Sequence, residues 1–275
     1  MTDFATASDV VSALAAASNG GSGCRQEFYK TTLTVVANFD YSGWMMTGSP
    51  TVGVAPTTWA HPTAATAGTW APKYANSSGG TNRLLLTDIV MTNAGQSLIL
   101  RDRIGHMGGM SGIVTTAQTV AATLTAPAAD GRCDVSGSDV EWFLEWYTAT
   151  GATGVNATVA VTYDDASTGN VVVALPATVP AYRMYRIQPA VAGRTIKGIT
   201  SVTLSATTGT AGNFGVTATK KLATSFLAVA GYNDTRDWAR LAMPKIGSNA
   251  CLFGTFWTTT TTLGTVLGTI IAGGH

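Results

Sequence analysis

Residues 155–175 have the sequence VNATVAVTYDDASTGNVVVAL, in which two β-branched runs flank a cluster of turn residues. The runs are Val155–Tyr163 and Asn170–Leu175, and their Val, Thr and Tyr side chains favour a half-buried pleated sheet. Asp and Gly are typical of turns, so the segment predicts an antiparallel hairpin. Asp164 and Asp165 could instead bind calcium, but the alternating oxygen ligands and distal Glu of an EF-hand loop are missing. The hairpin turn is therefore the preferred interpretation.

Similar short runs occur on both sides of this hairpin, separated by turn clusters such as TATGATG and SATTGTAGN. Regular short strands with such turns are typical of an antiparallel β-sandwich or a jelly roll. We therefore expect an all-β protein with an antiparallel, β-sandwich or jelly-roll-like fold. The other predicted strands are Thr31–Phe39, Arg83–Met91, Gln96–Ile104, Gln118–Thr125, Val140–Thr148, Tyr182–Gln188, Ile196–Ala206, Phe214–Thr219, Ala223–Ala230 and Ala250–Trp257.

The first segment, Thr2–Ser18, is the one predicted helix. Phe4, Ala7, Val11 and Leu14 follow a 3-4-3 spacing, which places them on one stripe of a helix. Two heptads are too short for a stable isolated helix. The stripe therefore needs a partner, which could be the body of the same chain, a sister subunit or a different protein.

Three segments follow from these patterns. Residues 1–23 form the predicted helix and a Gly/Ser joint, and residues 24–257 form the β-rich body. The body contains an irregular loop at residues 50–80, rich in Pro, Ala, Gly and Ser, and a loop of that length usually has a function or an interface. Residues 258–275 are rich in Thr and Gly, and they could form a final strand or an arm that orders on a neighbour.

The composition is poor in charge. Charged residues make up 11% of the chain and the formal net charge is +1, whereas roughly 25% of an average soluble domain is charged. Such a surface loses little hydration energy against a neighbour, which favours a subunit with extensive contacts. Nucleic-acid binding normally requires a dense basic patch, and a membrane span requires a longer apolar stretch than any in this sequence. We expect neither partner, and the acidic start, with Asp3 and Asp9, predicts assembly in a cytoplasm.

The three cysteines are Cys24, Cys133 and Cys251. Their odd number excludes a fully paired intrachain framework, and no CxxC or Cys/His cluster indicates zinc. We expect reduced, apolar side chains, with an interchain disulfide as the alternative.

The most enzyme-like motif is VEWFLEWY, residues 140–147, because it holds two carboxylates among aromatic residues. On a strand, Glu141 and Glu145 share one face, and Trp142 and Trp146 share the other. The Cα atoms of the two Glu residues would then lie roughly 13 Å apart, whereas glycosidase carboxylates lie about 5 to 9.5 Å apart. We therefore expect the Glu face to meet solvent or a partner and the Trp face to meet the core.

A second motif, DRIGHMGGMSG, contains the residue types of a hydrolase triad in Asp102, His106 and Ser111. The Gly-x-Ser-x-Gly order of a nucleophile elbow is not kept, and no strand-to-helix turn is predicted there. We interpret the segment as a Gly-rich connection with His106 as a polar loop residue. No catalytic residue, cofactor site or metal site is predicted anywhere in the chain.

Five segments of the chain resemble a group of phage and prophage proteins from the virion-structure gene region. They are CRQEFYKTTLTVVANFDYSGWMMTGSP (24–50), LILRDRIGHMGGMSGIVTTAQTV (98–120), VEWFLEWYTATGATGVNATVAVTYDDASTGN (140–170), SVTLSATTGTAGNFGVTATKKLA (201–223) and DWARLAMPKIGSNACLFGTFW (237–257). The resemblance covers roughly residues 24–257. It implies a structural component of a tailed-phage virion without chemistry, and it brings no catalytic residue.

The function expected from the sequence is that of a head decoration or cement protein, which reinforces contacts between major capsid subunits. The alternatives are a tail or baseplate component, then a receptor-binding protein with glycan on Trp44, Trp59 or Trp70, and last a glycan hydrolase. The expected partners are the major capsid protein or other virion proteins, and other copies of the same chain in a homotrimer. The candidate interface residues are Phe4, Val11, Leu14, Trp59, Trp70, Leu267 and Ile270.

Overall fold

The computed structural model describes Ser8, Val10, residues 25–71 and residues 82–274. Nearly all regular structure in this part is β-strand, with two short helices, α1 (Thr125–Ala129) and α2 (Trp238–Leu241). The strands are β1 (Arg25–Lys30), β2 (Leu33–Thr34), β3 (Asp40–Ser42), β4 (Gly48–Ser49), β5 (Asn82–Met91), β6 (Gln96–Met110), β7 (Gln118–Thr123), β8 (Glu141–Thr148), β9 (Val155–Tyr163), β10 (Thr168–Leu175), β11 (Arg183–Ile187), β12 (Ile196–Leu204), β13 (Asn213–Leu227), β14 (Asn233–Arg236), β15 (Lys245–Ile246), β16 (Leu252–Thr258), β17 (Thr262–Leu263) and β18 (Val266–Gly274).

The strands form a closed six-stranded barrel, a six-stranded sheet and a four-stranded sheet. The described pairings are antiparallel. The barrel has the order β11-β3-β16-β6-β13-β8, with β8 pairing back to β11. One sheet has the order β14-β5-β18-β1-β4 with β15 also on β5, and the other has the order β10-β9-β12-β7. The strands β2 and β17 form a separate two-stranded ladder. The expectation of an all-β, antiparallel protein is confirmed at this level.

The predicted hairpin is present as β9 and β10. The two strands pair in one uninterrupted register from Thr168 opposite Thr162 to Leu175 opposite Val155. Alternate side chains of both strands are buried, as the period of two along a strand requires. The turn between the strands holds Asp164 and Asp165, and Arg194 contacts both carboxylates, at 3.5 and 2.6 Å.

The two largest apolar cores lie outside the barrel, one on each side of it. The first fills the space between the four-stranded sheet and the barrel, where Trp142, Leu144 and Val216 come from the barrel strands. The second fills the space between the six-stranded sheet and the barrel, where Leu98, Leu100 and Phe256 come from the barrel strands. The barrel is therefore the middle layer of the molecule, and its interior is separated from both cores by its own wall.

Several predicted strand boundaries differ from the structure. The predicted strand Thr31–Phe39 is reduced to β2, because the chain turns at Asn38, which has a positive φ of 67°. The run Phe214–Thr219 and most of the run Ala223–Ala230 belong to one strand, β13, which ends at Leu227. The two lysines between the runs also pair with β6, with a register shift on either side of them. The predicted strand Gln96–Ile104 continues to Met110 as β6.

The tail is part of the body rather than an arm. Strand β18 lies between β1 and β5 near the centre of the six-stranded sheet. Ile270, a candidate interface residue, is 1% exposed and belongs to the second core. The arm interpretation of residues 258–275 is therefore wrong, and the alternative of a final strand is correct.

The predicted N-terminal helix lies almost entirely outside the described residues, and so do its stripe residues Phe4, Val11 and Leu14. Val10 is described and is buried against Leu85 and Ile271 on the six-stranded sheet. No helix in the described ranges has the length and apolar character needed to cross a membrane.

Candidate functional site

Strand β8 is buried on both faces, which the sequence pattern did not predict. Trp142, Leu144 and Trp146 pack into the first core, as expected for the Trp face. The opposite face carries Phe143 and Glu145, both 1% exposed, into the barrel interior. The expectation that Glu145 faces solvent or a partner is therefore wrong, because β8 is a wall of a closed barrel.

The centre of the barrel interior is an ion pair between Arg103 and Glu145. Arg103 donates to Glu145 through Nη2 at 2.5 Å and through Nη1 at 3.4 Å. The Thr217 hydroxyl donates to the same carboxylate at 2.5 Å, and the Arg103 guanidinium lies 4.7 Å from the centre of the Trp44 ring. Burial by itself would lower the pKa of Arg103. The negative charge of Glu145 outweighs this effect, so the pKa of Arg103 is raised. Arg103 therefore keeps its charge at neutral pH.

A second ion pair lies toward one end of the barrel. Arg101 donates to Glu141 and, through Nε, to the Thr255 hydroxyl at 2.9 Å. Arg186 also contacts Glu141, at 2.8 Å, and its side chain is half exposed. Burial by itself would raise the pKa of Glu141. The charges of Arg101 and Arg186 lower this pKa by more than burial raises it, so the net shift is downward. A carboxylate held in its ionised form does not fit the general acid of a glycan hydrolase.

The sequence Arg101-Asp102-Arg103 places a third ion pair on the outer side of the barrel wall. Successive side chains of a strand point to opposite faces, so Asp102 points away from the interior that holds its two neighbours. Arg132 binds both carboxylate oxygens of Asp102, at 2.6 and 3.1 Å, and it also donates to the Pro62 carbonyl at 2.7 Å. This ion pair fixes the segment that contains α1 to the barrel.

His106 lies in the wall strand β6 and not in a loop, which corrects the prediction. Its Nδ1 accepts a hydrogen bond from Arg103 Nε at 2.9 Å, and its ring meets the Trp44 ring edge-on. Burial first and then Arg103 lower its pKa well below the ordinary value, so His106 is neutral. Asp102 bonds Arg132 on the other side of the wall, so Asp102 and His106 do not form a catalytic pair.

Among the other buried groups near the barrel, burial raises the pKa of the Asp40 carboxyl, and two thiols and one phenol stay protonated at neutral pH. Burial raises the pKa of the Cys133 and Cys251 thiols to about 12. Both cysteines are free and buried, as expected, and Cys24 lies outside the described residues. Burial also raises the pKa of Tyr147. The arrangement is one of permanent charges held in place, which fixes the geometry of the barrel.

A polar cleft of about 470 Å³ adjoins the end of the barrel where Glu141 and Arg186 lie. The backbone from Gln188 to Ile196 forms its other wall, and Trp142 donates from Nε1 to the Ile196 carbonyl at 2.8 Å. The exposed cations at this cleft are already paired with carboxylates, Arg186 with Glu141 and Arg194 with Asp164 and Asp165.

The tryptophans proposed as interface or glycan-binding residues are largely internal. Trp70 is fully buried and stacks on Phe28 with ring centres 4.5 Å apart. Trp44 is fully buried as well, and the half-buried Trp59 stacks on Trp142 at 5.7 Å. Their role in the chain is core packing, which corrects Trp70 as an interface residue and Trp44 and Trp70 as exposed glycan platforms.

Leu267 is the candidate interface residue that the structure leaves accessible, with 41% exposure. It lies directly opposite Tyr29, also 41% exposed, and opposite Val90 on its other side. The sequence analysis missed Tyr29 and Val90. The alternation in RQEFYK, where Phe28 is buried and Tyr29 exposed, is the signal that could have found Tyr29.

The class of protein that this geometry defines is an all-β protein whose centre is a closed barrel, with two ion pairs among aromatic residues in its interior and a sheet on either side. Comparison with protein-family models, with curated proteins and with solved structures finds no match for this chain.

Proposed function

We propose that this chain is a non-enzymatic structural subunit of a tailed-phage virion, and that it acts as a head decoration or cement protein. The supporting observation is an apolar row on the outer face of the six-stranded sheet. The row runs across β5, β18 and β1 through Val90, Leu267 and Tyr29, which are neighbours in register. Tyr29 and Leu267 are exposed and Val90 is partly exposed, and contiguous apolar residues on a surface are typical of a docking site.

The row borders a shallow groove of about 440 Å³ on the same face. Glu27 and Asp88 also line the groove. They pair with Thr269 from either side, two residues along β18 from Leu267. A partner that fits this face presents apolar side chains flanked by Lys or Arg. Tyr29 is the expected anchor, because aromatic residues contribute strongly to binding energy at interfaces.

In this proposal the barrel supplies the rigid centre of the subunit. Its ion pairs bury several of the few charged residues of the chain, among them Arg103, Glu145, Asp102 and Arg132. The result is a rigid body with surfaces that lose little hydration energy on contact. The jelly-roll-like arrangement, the N-terminal helix and the homotrimer stay predictions.

The test is immunogold electron microscopy of intact virions with antibody raised to this chain. We expect label spread over the heads. Label confined to the tail would support the tail or baseplate alternative, and particles without label would contradict the structural proposal.

A matched pair of variants tests the docking row itself. Leu267→Ser removes an apolar side chain from the row, whereas Ile113→Ser makes the same kind of change at a site of 51% exposure elsewhere. We expect Leu267→Ser to weaken attachment to particles by about tenfold or more, which corresponds to about 1.4 kcal/mol, and Ile113→Ser to attach normally. Equal attachment of both variants would remove the row from the proposal.

A further inference from the structure

Strand β10 is an edge strand without the protective features that edge strands normally carry. It is the first strand of the four-stranded sheet and pairs with β9 alone. Its sequence, TGNVVVAL, contains no charge and no proline, and its register has no bulge. Natural edges are usually blocked by a charge, a proline, a bulge or short length, because a free edge pairs with other strands.

The other described sheet edges are protected. Strand β7, at the far edge of the same sheet, has Ala121 at a positive φ of 53° and a register shift opposite it. In the six-stranded sheet, β4 and β15 are two residues long, and β14 carries Asp234 and Arg236. The contrast singles out β10 as an edge available for pairing.

The hydrogen-bonding groups of β10 that point outward can be assigned. Tyr163 donates to the Ser167 carbonyl at 2.9 Å, and the pairs of an antiparallel ladder alternate from that bond. Gly169, Val171, Val173 and Leu175 therefore bond β9. The N–H and C=O groups of Asn170, Val172 and Ala174 point away from the sheet.

The side chains beside this edge are also suited to a second strand. Val172 is 62% exposed at the middle of β10, with Asn170 and Ala174 on either side of it. The outer face of the sheet carries one charged residue, Lys197, and its other members are small and uncharged. They are Thr119, Ala121, Thr123, Asn156, Thr158, Ala160, Thr162, Thr200, Ser201 and Thr203.

We propose that two copies of this chain pair through β10, antiparallel and about a two-fold axis at Val172, into one continuous eight-stranded sheet. The strand is self-complementary in this register. Val172 meets Val172 of the second copy, and Asn170 meets Ala174. The three outward residues of each copy then form about six backbone hydrogen bonds, and no like charges come opposite each other. The proposal does not rest on the virion assignment.

The first test is the mass of the wild-type chain in solution by sedimentation across micromolar concentrations, combined with hydrogen exchange of individual amides. We expect twice the chain mass, in place of the homotrimer expected from the sequence, and slower exchange at Asn170, Val172 and Ala174 as the dimer forms. A monomer at all concentrations would overturn the proposal. So would a trimer in which the Val172 amide exchanges as in the monomer.

Variants locate the contact. Val172→Lys brings two cations together at the two-fold axis. We expect the dissociation constant of the dimer to rise at least about tenfold, which is equivalent to about 1.4 kcal/mol. Thr119→Lys adds the same charge to the same sheet face at the opposite edge, and we expect no change in dimer affinity. Unchanged dimerisation of a folded Val172→Lys variant would refute pairing through β10, whatever happens to particle attachment.

Discussion

Single residues at the centre of this protein show why its few charges matter. The side chains of Glu145 and Arg103 are almost completely buried. Each forms an ion pair with the other and hydrogen bonds with neighbouring hydroxyl groups. Transfer of an unpaired charge to such a place is very unfavourable, so the pair is stable only as a pair. The pair joins β6 to β8 across the barrel interior, and Thr217 of β13 completes the contact.

The first residue-scale prediction concerns that pair. Glu145→Gln keeps the size of the side chain but leaves Arg103 as an uncompensated buried cation, so we expect the free energy of unfolding to fall by about 3–5 kcal/mol. Urea denaturation measures this. The exposed pair of Arg25 and Glu27 provides the control, since Glu27→Gln should change stability by less than about 0.5 kcal/mol. Similar losses for both variants would contradict the burial argument.

Lys30 gives a prediction about pH. It is fully buried, donates to the Met46 and Pro50 carbonyls at 3.1 and 2.7 Å, and burial lowers its pKa from 10.5 to about 8. Above pH 8 the folded chain has lost a proton that the unfolded chain still binds, so this residue's contribution to stability rises with pH until about 10.5. Below pH 8 both states are protonated and the penalty for burying the charge is complete.

The measurement is urea unfolding of the wild type and of Lys30→Met at two pH values. Between about pH 7.5 and 9.5 we expect the stability of the wild type relative to the variant to increase by about 1–2 kcal/mol. The variant is its own control, because every other titrating group is common to both chains. A difference that is constant with pH would show that Lys30 has an ordinary pKa.

At the scale of elements, β18 shows how one strand serves two surfaces. Ile270 is buried in the second core and Leu267 is exposed on the outer face, three residues apart. We expect Ile270→Ser to lower the free energy of unfolding by about 2–5 kcal/mol, as large-to-small core changes do, and Leu267→Ser by less than about 1 kcal/mol. Thermal or urea unfolding distinguishes them, and a large loss for Leu267→Ser would place that side chain in the core.

The sequence predicted most long strands because their local pattern is strong. Val155–Tyr163 is correct at both ends, and the predicted Arg83–Met91 differs from β5 by one residue. The failures are short or polar elements such as β1, with the sequence RQEFYK, which local propensity does not favour. Such a strand exists because β18 and β4 pair with it, and that information is non-local.

At the scale of the whole molecule, the two proposed binding surfaces lie on different sheets, on either side of the barrel. The six-stranded sheet carries the apolar row of Tyr29, Val90 and Leu267, and the four-stranded sheet carries the free edge of β10. The two proposals therefore assign a different protein to the first sheet and a second copy of the chain to the other. The two experiments with Leu267→Ser and Val172→Lys test these surfaces separately.

The candidate site was only partly predictable. The sequence analysis correctly rejected a triad in DRIGHMGGMSG, because Asp102 binds Arg132 and His106 accepts from Arg103 on the other side of the barrel wall. It wrongly placed Glu145 of VEWFLEWY on an exposed face and His106 in a loop. The pairing of Arg103 with Glu145 joins residues 42 positions apart. Nothing in either motif alone indicates that the strands which carry them enclose a common interior.

By itself, the sequence determined the antiparallel β class, the main hairpin and the poverty of charge, because strand propensity, turn chemistry and composition are local properties. Only the tertiary structure decided that Glu145 and His106 are internal, that Trp70 and Ile270 are core residues and that β18 is a central strand. Whether a strand face is outside or inside depends on barrel closure. Closure is set by register between strands far apart in the chain, which alternation along any one strand does not specify.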